Sequence, residues 1–124
     1  MTITHPAQIH DAFETAVNAG DVDALLALYD TERGVVVEFD GSETTGPDAL
    51  RTSFEAMTAT IRRLEGTDRK LVVADDVALT SASWTAEIVL PDGSVVTQQG
   101  TTAEVSRRRP DGSWAVVIDD PLFV

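Results

Sequence analysis

VALTSASWTAEIVLPDGSVVTQQGTTAEVSRRRPDGSWAVVI, the stretch from Val77 to Ile118, decides the fold class. Apolar and polar residues alternate through it with a period of two, the pattern of strands with one buried and one open face. Asp92-Gly93 and Asp111-Gly112 interrupt the alternation, and an Asp-Gly pair between strands suits a hairpin turn that needs φ > 0. With Leu71–Ala74 ahead of a break at Asp75-Asp76, the pattern predicts four strands joined by three hairpins: Leu71–Ala74, Val77–Leu90, Ser94–Arg108 and Trp114–Ile118.

Upstream the period changes to that of a helix. From Ala7 to Ala19 the residues Ile9, Phe13, Ala16 and Val17 fall at helical spacing, with Pro6 suited to the first turn and Gly20 to the position past the end. Asp21 can cap a second helix, on which Val22, Leu25, Leu26 and Tyr29 repeat at i, i+3, i+4, i+7. Val35–Val37 and Phe39 predict a strand from Gly34 to Asp40, with a short return through Ser42–Thr45. Pro47 opens a third helix whose stripe of Leu50, Phe54, Met57 and Ile61 runs to Leu64, with Gly66 ending it. Three helices before most of a long antiparallel sheet make an α+β chain.

At 124 residues, with 43% apolar composition, the chain is read as one domain, 1–124, large enough for a core and a pocket. Nine basic residues against 21 acidic ones give a net charge of −12, which argues against nucleic acid and anionic membrane as partners. The only concentrated basic run, Arg107–Arg109, lies beside a turn. Met1–Gln8 lacks the features of a signal peptide, and no apolar run approaches the roughly 20 residues of a bilayer span, so the expected location is cytoplasmic. Without cysteine there is no disulfide, thiolate nucleophile or Cys-ligated zinc.

The order helix, helix, strand, helix, four strands carries Ala19-Gly20-Asp21, Leu28-Tyr29, Gly46 before the third helix, Trp84, Gly100-Thr101 and Gly112-x-Trp114. Over nearly the whole chain it resembles the nuclear transport factor 2-like superfamily, in its SnoaL-like and ketosteroid-isomerase-like branch. The resemblance implies a cone, in which a strongly bent antiparallel sheet wraps three N-terminal helices and an apolar pocket enters the wide end. It also implies a homodimer formed through the sheet's outer face. The superfamily includes isomerases, cyclases, dehydratases, epoxide hydrolases and non-catalytic binding or scaffold proteins, so the function has to be read from the pocket.

Ketosteroid isomerases combine a first-strand carboxylate base, a helix-one tyrosine and a protonated late-strand acid. The chemistry needs that set because a proton leaves carbon while charge develops on an enolate oxygen in a dry pocket. An ungapped count from Gly20-Asp21 to Gly46 puts the base position on Val37, and alternation would turn Glu38 and Asp40 to the opposite face unless a bulge intervenes. The tyrosine position falls on Phe13, which has no hydrogen to donate. Counting back from Gly112 puts the late acid on Glu104. If Glu104 points inward, desolvation favours its protonated form and makes it a proton donor or acceptor; if Ala103 and Val105 point inward, it is solvated.

Two substituted positions disfavour ketosteroid isomerisation itself. They leave an isomerase-, cyclase- or hydratase-like acid–base reaction, or a non-catalytic binding or dimerisation module. The implied pocket for an apolar or aromatic small molecule is lined by Phe13, Tyr29, Val37, Phe54, Met57 and Trp84, with Glu104 as the catalytic candidate. Tyr29 is expected to pack its ring in the cone with its hydroxyl at a polar rim. Trp84 is either core or a wall that stacks on a flat ligand, and Trp114 packs the sheet against the helices. His5 and His10 are expected in solvent, and Asp75-Asp76 and Asp119-Asp120-Pro121 in turns. Neither a metal nor a cofactor is called for: zinc spacing and a glycine-rich phosphate loop are both missing.

Overall fold

In the computed structural model, which describes residues 2–123, the chain opens on a reciprocal cap: His5 Nδ1 accepts from the Ala7 amide, and Gln8 Oε1 accepts from the His5 amide. This cap fixes a 3-10 turn over Pro6–Gln8 that leads into helix α1, Ile9–Ala19. Gly20 ends α1 in the left-handed region at φ 66°, where a side chain would be strained, and the Asp21 carboxylate caps helix α2, Val22–Ala27, through the Ala24 amide at 3.0 Å.

Strands β1 (Val35–Val37) and β2 (Glu43–Thr45) form the expected short return before helix α3, Pro47–Thr60. The third helix stops earlier than its apolar stripe suggests. Ile61 is already extended at φ −81°, ψ 115°, and opens strand β3, Ile61–Ala74, which passes through Gly66. Ile61 and Leu64 contribute to the core from a strand rather than a helix.

Strand β4, Val77–Val89, pairs along β3 on one side. The expected strand Ser94–Arg108 is two strands, β5 (Val95–Thr101) and β6 (Ala103–Arg108), which share the other side of β4. They part at Thr102, whose amide bonds the Ala82 carbonyl while its hydroxyl accepts from the Ala82 amide. Strand β7 runs from Trp114 to Asp120, two residues past the expected end.

The sheet runs β2-β1-β7-β6-β4-β3, with β5 beside β4. It is mixed rather than purely antiparallel, because β1 lies parallel to β7 with Val35 opposite Ile118 and Val36 opposite Asp119. Register therefore defines two rows of residues. Val36, Asp119, Glu104 and Thr80 face the helices, while Val35, Ile118, Val105, Leu79 and Val72 face away from them.

The core forms between the inner face and the helices, from Ile9, Val17, Leu25, Leu50 and Phe54 against Trp84, Trp114 and Val116. The Trp84 indole donates to the Pro121 carbonyl at 2.7 Å and lies over Gly100, where an added Cβ would come within 2.7 Å of the ring. Only glycine admits that approach. No described helix is long and apolar enough to cross a membrane.

Candidate functional site

Glu104 sits on the inner face of β6 and is 5% exposed. The Thr102 hydroxyl donates to its two carboxylate oxygens at 2.9 and 2.6 Å, and His10 Nε2 makes a short bond to Oε1. The other ring nitrogen of His10, Nδ1, is 2.6 Å from Asp68 Oδ1. An imidazole that donates from both nitrogens is an imidazolium. Burial pulls its pKa down, but the hydrogen bonds and charges of Glu104 and Asp68 outweigh it and raise the value to about 9.

His10 is thus not solvated as expected. Positions 10, 13 and 17 lie on one helical face, so His10 continues the stripe of Phe13 and Val17 into the sheet. That spacing was the available signal.

Asp119 is also misplaced by the sequence reading. It belongs to β7, not to a turn, and is 9% exposed opposite Glu104. The cause is a bulge: Val105 pairs with Ile118 and Ser106 with Val116, so Val117 is skipped and the parity of β7 changes. The Tyr29 hydroxyl donates to Asp119 Oδ2 at 2.5 Å. Burial and then the Glu104 charge push Asp119 up to about 7. Burial, then Asp119, holds the Tyr29 phenol well above its ordinary value, so it remains a donor. Its hydroxyl is in the interior rather than at a rim, since Tyr29 is 3% exposed.

On the first strand Val36, not Val37, faces the helices, and Val37 lies on the opposite side. Glu38 follows Val36 inward, its Oε1 accepting from the Thr44 hydroxyl at 2.7 Å and the Ser53 hydroxyl at 2.6 Å. A carboxylate is therefore present directly after the first strand, one residue from the counted position. Asp40 stays in the exposed turn, bonded to Ser42.

Tyr29 and Phe54 pack ring on ring at 5.0 Å and fill the interior, with Phe13 and Met57 packed against the same core. Two open concavities lie elsewhere. A cavity of about 250 Å³ opens between the 3-10 turn and the β3–β4 edge, lined by Pro6, Ala7, His10, Asp68–Leu71 and Thr80. A second, of about 480 Å³, lies on β3, β4 and β5 and touches Trp84 and Gly100. Neither is lined by Phe13, Tyr29, Val37, Phe54, Met57 or Glu104; Trp84 alone of the expected residues borders one of them, and Phe39 stacks on its indole at 5.7 Å.

The site's chemistry is proton holding: a carboxylate–imidazolium–carboxylate line from Asp68 to Glu104, beside an Asp119–Tyr29 pair. Among the described residues no three His, Asp or Glu side chains converge as metal ligands would. The Thr80 and Ser106 hydroxyls are buried without a hydrogen-bond partner among the described residues.

A pH dependence of stability follows. The His10 pKa is about 9 in the fold against a reference of 6.5, so its contribution is complete below 6.5 and is lost as pH rises through 9. The groups around it are Asp68 of β3, Glu104 of β6 and, on β7, Asp119. The raised Asp119 acts in the same direction, because the fold favours its protonated form and loses stability as pH climbs from 3.8 to about 7. Urea unfolding should show a fall on the order of 2 kcal/mol between pH 6.5 and 9.5 from His10, at 1.36 kcal/mol per unit discounted for partial exposure. His10→Gln should flatten that limb; an unchanged slope would remove the imidazolium from the argument.

The sequence profile of the SnoaL-like domain matches residues 9–117. Among solved structures, the chain is similar to a ketosteroid isomerase-like protein from Erwinia carotovora atroseptica, with a TM-score of 0.83 and 20% identity over 92% of this chain and 89% of that one. It is similar also to a protein from Streptomyces avermitilis proposed as a dehydratase of the NTF2-like family, with a TM-score of 0.76 and 19% identity over 95% and 94% of the two chains. A proposed calcium/calmodulin-dependent protein kinase type II association domain from Thiobacillus denitrificans gives a TM-score of 0.78 and 18% identity over 99% of both chains. At these identities the likeness is one of fold. No curated protein matches the chain.

Proposed function

The chain belongs to the SnoaL-like domain family, and from that premise we propose that it is a small-molecule acid–base enzyme, of isomerase, cyclase or hydratase type, that works without a cofactor on an apolar or aromatic molecule. One observation carries this reading: His10 borders a cavity while its far nitrogen is held by the buried Glu104. In this role the imidazolium presents Nδ1 to the substrate and delivers or recovers a proton there. Glu104, which the family position suggested as the acid itself, acts through His10 by orienting the ring and holding its charge. The test is exchange of substrate protons with deuterated water across a panel of small apolar ketones, followed by NMR, in the native protein and in His10→Gln. Binding without exchange would favour the alternative, a non-catalytic ligand-binding module.

A 3-keto steroid remains a disfavoured substrate, although Glu38, bonded to Thr44 and Ser53, supplies a carboxylate next to Val37. A cavity of about 250 Å³ is smaller than the roughly 300–1,000 Å³ of pockets for drug-sized ligands, and Phe13 offers no donor.

The same reading makes the protein a cytoplasmic homodimer. Its support is the outward row, in which Val72, Leu79 and Ile118 are 47%, 44% and 47% exposed and lie in register across the sheet with Val105 and Val35. Light scattering at micromolar concentration should give twice the chain mass, and Ile118→Lys, a charge within the row between Val35 and Val105, should give the monomer. A monomer mass for the unmodified protein would end the dimer reading.

A further inference from the structure

The two carboxylates that hold His10 are built differently. Glu104 is 6% exposed at its side chain and tied to Thr102. Asp68 is 63% exposed and belongs to β3, the edge strand, beside a register shift between Asp68 and Lys70. One partner is part of the core. The other hangs from a rim and shares its imidazole with a cavity.

We propose that this cavity takes a small carboxylic acid with an apolar body, whose carboxylate replaces that of Asp68 on His10 Nδ1. The proposal rests on the reading of His10 as the group that meets the ligand. Exchange of one carboxylate for another conserves the ion pair and its hydrogen bond, so the imidazolium gives up nothing when Asp68 swings out. A neutral oxygen would give up the charge. The remaining lining agrees with an anion that carries a hydrocarbon: Pro6, Ala7 and Leu71 offer apolar surface, and Arg69 and Lys70 add two positive charges at one place in a chain of net charge −12.

Thr80 supplies an independent sign. It borders the cavity at 2% exposure, and its hydroxyl has no partner among the described residues. A buried hydroxyl left without a partner is unfavourable, and a second carboxylate oxygen is an acceptor that could satisfy it. The cavity, at about 250 Å³, sets the size at about one ring.

The test uses benzoate and its neutral isostere benzamide, followed by calorimetry and by the ring-nitrogen shifts of 15N-labelled His10. Benzoate should bind at least about tenfold more tightly than benzamide and move the Nδ1 resonance, a charge-assisted bond being roughly twice as strong as a neutral one. Asp68→Asn, at an exposed site where the fold tolerates change, should tighten benzoate about tenfold by removing the internal competitor. Thr80→Val should weaken it severalfold. Equal affinities, no gain in Asp68→Asn, or shifts at Tyr29 and Phe54 in place of His10 would each overturn the proposal. If benzoate behaves as expected while neither neutral ketones nor aromatic keto acids, which carry the carboxylate the site takes, exchange protons, the carboxylate site stands and the acid–base reading falls; exchange without a preference for carboxylates gives the reverse.

Discussion

Glu104→Ala is expected to lower folding stability by about 3–5 kcal/mol, the range for removing one member of a buried ion pair. The size comes from what is left behind. The His10 imidazolium loses its inner partner, the Thr102 hydroxyl loses its acceptor, and a void opens on the inner face of β6 at a residue 5% exposed. Glu104→Gln fills the same volume and still accepts from Thr102, so it should cost less and isolate the contribution of charge. A double-mutant cycle with His10→Gln should show coupling, since Glu104→Ala leaves the imidazolium without its inner counter-charge and His10→Gln leaves the Glu104 carboxylate without its counter-charge, whereas the double change leaves neither. Urea unfolding at pH 7 measures the unmodified protein and the four variants. A loss below about 1 kcal/mol in Glu104→Ala would mean that water reaches the carboxylate and that Glu104 and His10 do not form a buried ion pair.

Where the sequence was legible, local chemistry and periodicity agreed. Pro6, Gly20 and Asp21 bracket the first two helices, and the turns at Gly93 and Gly112 take φ 85° and 88°, as an Asp-Gly hairpin requires. The end of α3 was not legible, because Ile61 and Leu64 continue the helical stripe of Leu50 and Phe54 and reach the core equally well from β3. Glu65–Lys70 then carries no alternation, since an edge strand has little to bury.

The site suffered most from parity. Three consecutive valines say nothing about which one faces inward, so the inward run of Val36 and Glu38 had to be set by pairing with β7, a parallel partner from the other end of the chain. The bulge at Val117 reversed the face of Asp119 in the same way. Both are decided by tertiary contacts, and a one-residue slip moves every side chain to the other face. Glu104 was placed by its distance from the Gly112 turn, a short count within one strand. His10 could have been found from the helical spacing to Phe13 and Val17, but nothing local identified Asp68, 58 residues away, as its partner.

His10→Gln is the substitution with the largest expected effect on activity. Positioned proton transfer contributes about 10²–10⁴ in rate, and glutamine can neither hold nor release the proton while remaining able to hydrogen-bond Glu104. The loss should fall on kcat and leave KM within a fewfold, because the side chain keeps a polar group at the cavity wall but no longer acts in the transition state. The pH profile gives a second, independent reading. With both carboxylates in place the imidazolium persists to about pH 9, so an activity that needs the acid form should hold up to that limit and fall beyond it. Glu104→Gln removes the inner carboxylate and should move that fall to lower pH without abolishing turnover, a shift that mere loosening of the fold would not produce. If His10→Gln keeps full activity, the proton passes through another group, and the inward Glu38, held between Thr44 and Ser53, becomes the next to replace.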